Sequence, residues 1–202
     1  MRDFNPPKIP IAGCAPVAVR ANADDRGCLF EIFREEWNGA FKTVQWNACS
    51  SLAGVMRGVH VHVDYDEFYT LPVGRVFLAL RDIRWTSPTF GSSIGLEWSA
   101  ADGFAVPVPA GVAHAVFFLD DSVLAFGLSN YRKAELDVLG CRWDDLAPSL
   151  RWPVESAKLS PRDSEAGSFD DMLAGYEALA EKAGLLGLPR QHASSPLCRV
   201  IP

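Results

Sequence analysis

Between Asp24 and about residue 130 the apolar side chains come in short runs rich in aromatic and β-branched residues, each closed by Gly, Pro, Asp or Ser. The clearest runs are CLFEIF, FKTVQWNA, GVHVHV, RVFLALRDIRW, SIGLEWSA, FAVPVP, AVFFL and SVLAFGLS. Such residues fit a pleated, half-buried surface, and turn residues at this spacing break the chain before a helix can propagate. The pattern predicts an all-β sandwich or barrel over residues 23–165. Residues 1–22 are rich in Pro and Ala and read as an extended N-terminal arm leading to the turn Asp24-Asp25-Arg26-Gly27. Beyond the barrel the period changes. Met172, Leu173, Tyr176, Leu179 and Ala180 recur at helical spacing behind Ser168, an N-cap residue type, with Asp170 and Asp171 in the first turn. One helix is therefore expected within residues 166–202, followed after Gly187 by an aperiodic tail.

Composition narrows the class. A chain of 202 residues supports one well-buried core without demanding two domains. With 19 basic and 25 acidic side chains the net charge is -6, so a broad positive face for nucleic acid is not expected, whereas a local arginine pocket for a small anion is compatible. The five cysteines are odd in number, dispersed and free of any CxxC pair, which argues against a disulfide framework or zinc knuckle and for a reducing cytoplasm. The N-terminus lacks a signal-peptide run, and no window approaches the ~18 apolar residues of a span, so no membrane partner is expected.

The chemistry concentrates in GVMRGVHVHVDYDE, residues 54–67. On a strand, residues i and i+2 share a face, so His60 and His62 are expected side by side. The spacing Gly54, His60, His62, Glu67, Gly74 fits G(X)5HXH(X)3-4E(X)6G at every defined position. Gly103, Pro109, Gly111 and His114 then follow G(X)5PXG(X)2H(X)3N, with Phe118 in place of the final Asn. The chain thus resembles the cupin superfamily, which implies a cupin-type double-stranded β-helix, a jelly-roll barrel, with a metal in its mouth. His60, His62, Glu67 and His114 are the implied ligands. Three imidazoles and a carboxylate suit Mn, Fe, Co, Ni or Zn.

A longer resemblance runs from Asp24 to Asp163. DDRGCLFE, QWNACSSLAGVMRGVH, DIRWTSPTFG, VPAGVAHAV, CRWDD, RWP and LSPRD occur in the order and spacing of the dTDP-4-dehydrorhamnose 3,5-epimerase family, cupin-fold enzymes of deoxysugar biosynthesis that need no metal. This resemblance implies an isomerase acting α to the ketone of a nucleotide-linked 4-keto-6-deoxyhexose, with no organic cofactor. It places His60 as general base and Asp163 as its carboxylate partner. A carboxylate on one ring nitrogen fixes the tautomer and raises the basicity of the other. Arg26, Glu31, Gln45, Asn47, Arg57 and His114 fall at positions matching substrate or active-site residues. The family further implies a homodimer whose N-terminal arm joins the partner's sheet, with a sugar nucleotide as small-molecule partner.

Three positions depart from that pattern. Glu67 stands where the family has lysine, His62 where it commonly has glutamine, and Phe126 where it has the tyrosine acting as general acid. Phe126 cannot donate a proton, so Tyr131, close by in sequence, is expected either to take that role or to match the family's base-stacking tyrosine. Leu29 replaces a thymine-stacking aromatic, and Cys49, in place of a usual serine, reads as a small core residue. Trp46, Trp85, Trp98, Trp143 and Trp152 read as core or dimer packing. A negative Glu67 beside a forming enolate opposes catalysis in a metal-free pocket, whereas with a divalent metal it completes a ligand set. The two resemblances compete for His60, because a nitrogen bound to metal is not free to act as base. Alternatives to the epimerase are a metal-dependent oxygenase or lyase, and a non-catalytic sugar-nucleotide binding protein on the same scaffold.

Overall fold

The computed structural model describes residues 6–19, 21–37, 41–147 and 149–184. Its strands, in chain order, are β1 (Val17–Ala18), β2 (Ala21–Asp24), β3 (Gly27–Phe30), β4 (Gln45–Ser51), β5 (Met56–His60), β6 (Glu67–Val73), β7 (Arg75–Asp82), β8 (Ser93–Ser99), β9 (Phe104–Val108), β10 (Val112–Phe118) and β11 (Ser122–Leu128). Two helices follow, α1 (Pro161–Ser164) and α2 (Phe169–Lys182). One antiparallel sheet has the order β1-β9-β6-β11-β4 and the second β5-β10-β7-β8, while among the described residues β2 and β3 pair only with each other.

The main core lies between the two large sheets, where Leu71, Val106 and Leu124 of the first meet Leu78, Leu80, Val116 and Phe118 of the second. A second core covers the outer face of the four-stranded sheet: Phe77, Ala79, Ala115 and Phe117 pack with Leu146 and with Met172, Tyr176 and Ala180 of α2. Strand β7 is therefore buried on both faces, which is why RVFLAL reads as an unbroken apolar run instead of alternating. Burying a side chain such as Met172 contributes roughly 2 kcal/mol. The helix begins where its sequence announces it. Ser168 Oγ accepts from Asp171 N at 3.1 Å and Asp171 Oδ2 accepts from Ser168 N at 3.0 Å, a capping box that stabilises the helix by about 1 kcal/mol.

Two expectations are revised. Ile9, Ile11 and Cys14 are buried in the main core and β1 pairs with β9, so much of the expected arm belongs to the barrel. Strand β6 is absent from the predicted runs: its acidic start, DYDE, and Pro72 look like loop, yet Glu67 to Leu71 are all buried. The aperiodic tail after Gly187 and Cys198 lie outside the described residues.

Candidate functional site

Strands β5 and β10 bring His60 opposite His114. Their close approach requires Gly58, which has φ +118° and pairs with Ala115 across a register slip. A Cβ there would stand 2.7 Å from the His114 carbonyl oxygen and 2.8 Å from Ala115 Cα. Strand β5 ends at His60, and the chain continues beside residues 139–140, with Val61 N donating to Leu139 O at 3.4 Å. His62 thus lies beyond the strand, and the expected pairing of the two rings on one strand face does not hold.

His60 turns to a carboxylate: its Nε2 lies 2.8 Å from Asp163 Oδ1. Asp163 sits in the first turn of α1, capped by Ser160 and opened by Pro161, and Met56 N donating to Lys158 O ties this segment alongside β5. Burial pushes the Asp163 carboxyl up, but hydrogen bonds from His60, Ser160 and the Gly58 backbone, with the charge of His60, outweigh it and leave the pKa lowered.

His62 turns elsewhere. Its ring stacks on Tyr65 at 4.2 Å, and its Nδ1 lies 3.2 Å from Asp137 Oδ1, an electrostatic contact whose direction is not that of a formed hydrogen bond. Asp137 is itself held by Arg132 Nε. Against the penalty of burial, His62 and Arg132 hold its carboxyl well below the usual carboxylate range.

Glu67 enters from the facing sheet. Its Oε2 lies 3.1 Å from His114 Nε2 and 3.6 Å from His62 Nε2, and accepts from Tyr69 Oη at 2.6 Å. The other nitrogen of His114, Nδ1, lies 3.1 Å from Val112 O. Burial, partly opposed by Glu67 and assisted by His62 and His60, pushes His114 down to about 4. Burial and the Glu67 charge raise the Tyr69 hydroxyl well above its ordinary value.

These groups line one cavity of about 500 Å³. Gln45, Asn47, Arg57, His60, His114 and Asp163, expected at the site from sequence, all line it. Three others do not. Tyr131 is 64% exposed and off the cavity, because the chain has left β11 before reaching it. Arg26 pairs with Asp24, and Glu31 with Arg34, on or just after a hairpin that joins neither large sheet. The implied four-ligand set also separates. The ligand atoms of His62, Glu67 and His114 lie within 4.8 Å of one another, and His60 falls outside that group.

The site contains residues the sequence did not flag. Asp137, Tyr65 and Tyr69 reach it, and Tyr69 stands directly across from Phe126 in the β6–β11 register. Asp137 arrives through a loop, with no local signal. The alternation of β6 would have pointed Tyr69 to the side of Glu67 had that strand been recognised.

Comparison with known proteins places these features in context. The dTDP-4-dehydrorhamnose 3,5-epimerase family matches residues 8–171. The enzyme of that name from Shigella flexneri is 31% identical over 156 residues, covering 73% of this chain and 86% of its own. The one from Sinorhizobium fredii is 32% identical over 177 residues, covering 83% and 90%. Among solved structures, the Legionella pneumophila epimerase in complex with dTDP-4-keto-L-rhamnose superposes with a TM-score of 0.74 at 27% identity, covering 92% of this chain and 97% of its own. A 3'-monoepimerase from Streptomyces bikiniensis in complex with dTDP-quinovose gives 0.71 at 27%, covering 88% and 90%.

Proposed function

The chain belongs to the dTDP-4-dehydrorhamnose 3,5-epimerase family, and from that premise we propose that His60, set by Asp163, removes the proton α to the ketone of its sugar-nucleotide substrate. The protein is an isomerase of the carbohydrate-epimerase class, acting on a nucleotide-linked 4-keto-6-deoxyhexose. The observation that carries the assignment of the base is the 2.8 Å contact from His60 Nε2 to a buried carboxylate at the wall of the cavity. With Asp163 on Nε2, the lone pair left for substrate is on Nδ1, and the carboxylate stabilises the imidazolium formed when the C–H proton is taken.

Epimerisation also needs the proton returned from the opposite face of the ring. His60 comes from the four-stranded sheet, so a donor on the facing sheet is required. Phe126 has no hydroxyl. Tyr69, its cross-strand neighbour, lines the cavity and replaces Tyr131 as the hydroxyl at that place, and its contact with Glu67 Oε2 has to open for it to serve as the donor in this reading. Arg57, Arg132, Lys158 and Arg162 supply positive charge along the cavity, which suits a nucleotide diphosphate in an otherwise acidic protein.

The hairpin of β2 and β3 holds Arg26, with Glu31 next to it, away from the cavity of its own chain, and we assign them to the cavity of a partner copy in a cytoplasmic homodimer. A reducing compartment agrees with the free Cys14, Cys28, Cys49 and Cys141. No described helix is long and apolar enough to cross a membrane.

The test is a product analysis. After incubation with a dTDP-4-keto-6-deoxyhexose, borohydride reduction and hydrolysis are expected to yield 6-deoxyhexoses inverted at C3, C5 or both. Recovery of only the parent C3 and C5 configurations from a panel of such substrates would remove the assignment.

A further inference from the structure

Three buried acceptors converge in the cavity wall, their ligand atoms within 4.8 Å of one another. A carbonyl only accepts, so the contact from His114 Nδ1 to Val112 O puts the hydrogen on Nδ1 and leaves a lone pair on Nε2. Asp137 Oδ1, 3.2 Å from His62 Nδ1 though not aligned with it as a hydrogen bond, favours the hydrogen on that nitrogen by its charge and so the lone pair on Nε2. Both lone pairs face Glu67 Oε2, at 3.1 and 3.6 Å. Among the described residues the hydroxyl hydrogen that reaches the group is that of Tyr69, which is already donated to that oxygen at 2.6 Å. All three residues are largely buried, so screening by bulk water is weak. One shared proton satisfies a single pair, whereas a cation satisfies all three.

We infer that His62, Glu67 and His114 bind one divalent transition-metal ion, and that His60 is not a ligand. Two imidazoles and one carboxylate suit Zn, Fe, Co, Ni or Mn, and three protein ligands leave positions open toward the cavity. The Val112 carbonyl holds the His114 ring from behind and the Asp137 carboxylate lies behind the His62 ring, where metal-bound histidines usually find such a partner. This removes the competition for His60, whose Nε2 is committed to Asp163. When bound, the ion supplies positive charge where a carbonyl oxygen becomes an enolate, offsetting Glu67. That last role rests on the epimerase reading; the binding site does not.

The experiment uses the full chain, made without an affinity tag and stripped by chelation, titrated with Co²⁺ and Zn²⁺ by calorimetry and by the visible Co²⁺ spectrum. One ion per chain is expected. Glu67→Gln and His62→Asn should each weaken binding by at least about 100-fold, and Asp137→Asn by about 10- to 100-fold, while His60→Asn stays within about threefold. Circular dichroism checks that each variant is folded, and the two ligand variants guard against failure of either one. Wild-type binding no tighter than that of a folded ligand variant would overturn the site and leave a histidinium–glutamate pair. Loss in His60→Asn equal to that in Glu67→Gln would overturn the exclusion of His60. Epimerisation by stripped protein that binds no metal would discard this site and keep the function; metal binding without epimerisation would do the reverse.

Discussion

Replacing His60 with asparagine is expected to lower the rate of epimerisation by about 10²- to 10⁴-fold, the usual worth of a positioned general base. The ring lines the cavity, is only partly exposed, and hydrogen-bonds with Asp163. Asparagine keeps a polar group on β5 but has no basic nitrogen, so the loss should appear in kcat with binding of the nucleotide nearly unchanged. Asp163→Asn should cost less, about 10- to 100-fold, because the base remains while its orienting charge is gone. Steady-state rates by proton NMR on both variants, with thermal melts to check folding, measure the order. A loss in Asp163→Asn exceeding that in His60→Asn would place the base elsewhere.

The second large effect is on stability. Metal-free protein is expected to lose on the order of 3 kcal/mol as pH falls from 6.5 to 4, because burial depresses His114 from 6.5 to about 4. Over that window the unfolded chain binds the proton and the folded chain refuses it. The contribution is complete above 6.5 and is lost on descent toward the folded value. Asp163 and Asp137, whose carboxyls are lowered in the fold, add losses of the same sign in more acid solution. Urea midpoints of chelated protein at pH 7, 5.5 and 4 read the effect. A midpoint constant between 7 and 4 would mean that His114 is not the buried neutral ring described here.

Much of this was legible along the chain, and the failures share a cause. Local chemistry announced itself: Ser168 and Asp171 cap a helix where the period changes, and the apolar runs became strands. The two motifs brought His62, Glu67 and His114 together from distant segments. What sequence could not give was direction. Two histidines at i and i+2 share a face only while the strand lasts, and β5 stops at the first of them. One ring then finds Asp163 and the other Asp137, so a set that looks four-fold divides into a dyad and a trio. Tyr131 looked close to Phe126 in sequence, but the turn after β11 carries it into solvent, while Tyr69 reaches the same place across the sheet. Likewise, Trp98 is core as expected, whereas Trp46 on edge strand β4 is 38% exposed, a surface consistent with the proposed dimer.

The central claim is that a carbon acid loses its proton to a protein base in this cavity. It is tested most directly by following a dTDP-4-keto-6-deoxyhexose in D₂O by proton NMR. The C3 or C5 signal is expected to vanish at least as fast as product forms, with solvent deuterium at the inverted carbon and a strongly slowed exchange in His60→Asn. Inverted product that keeps the substrate's own hydrogen, or exchange undiminished in that variant, would contradict it.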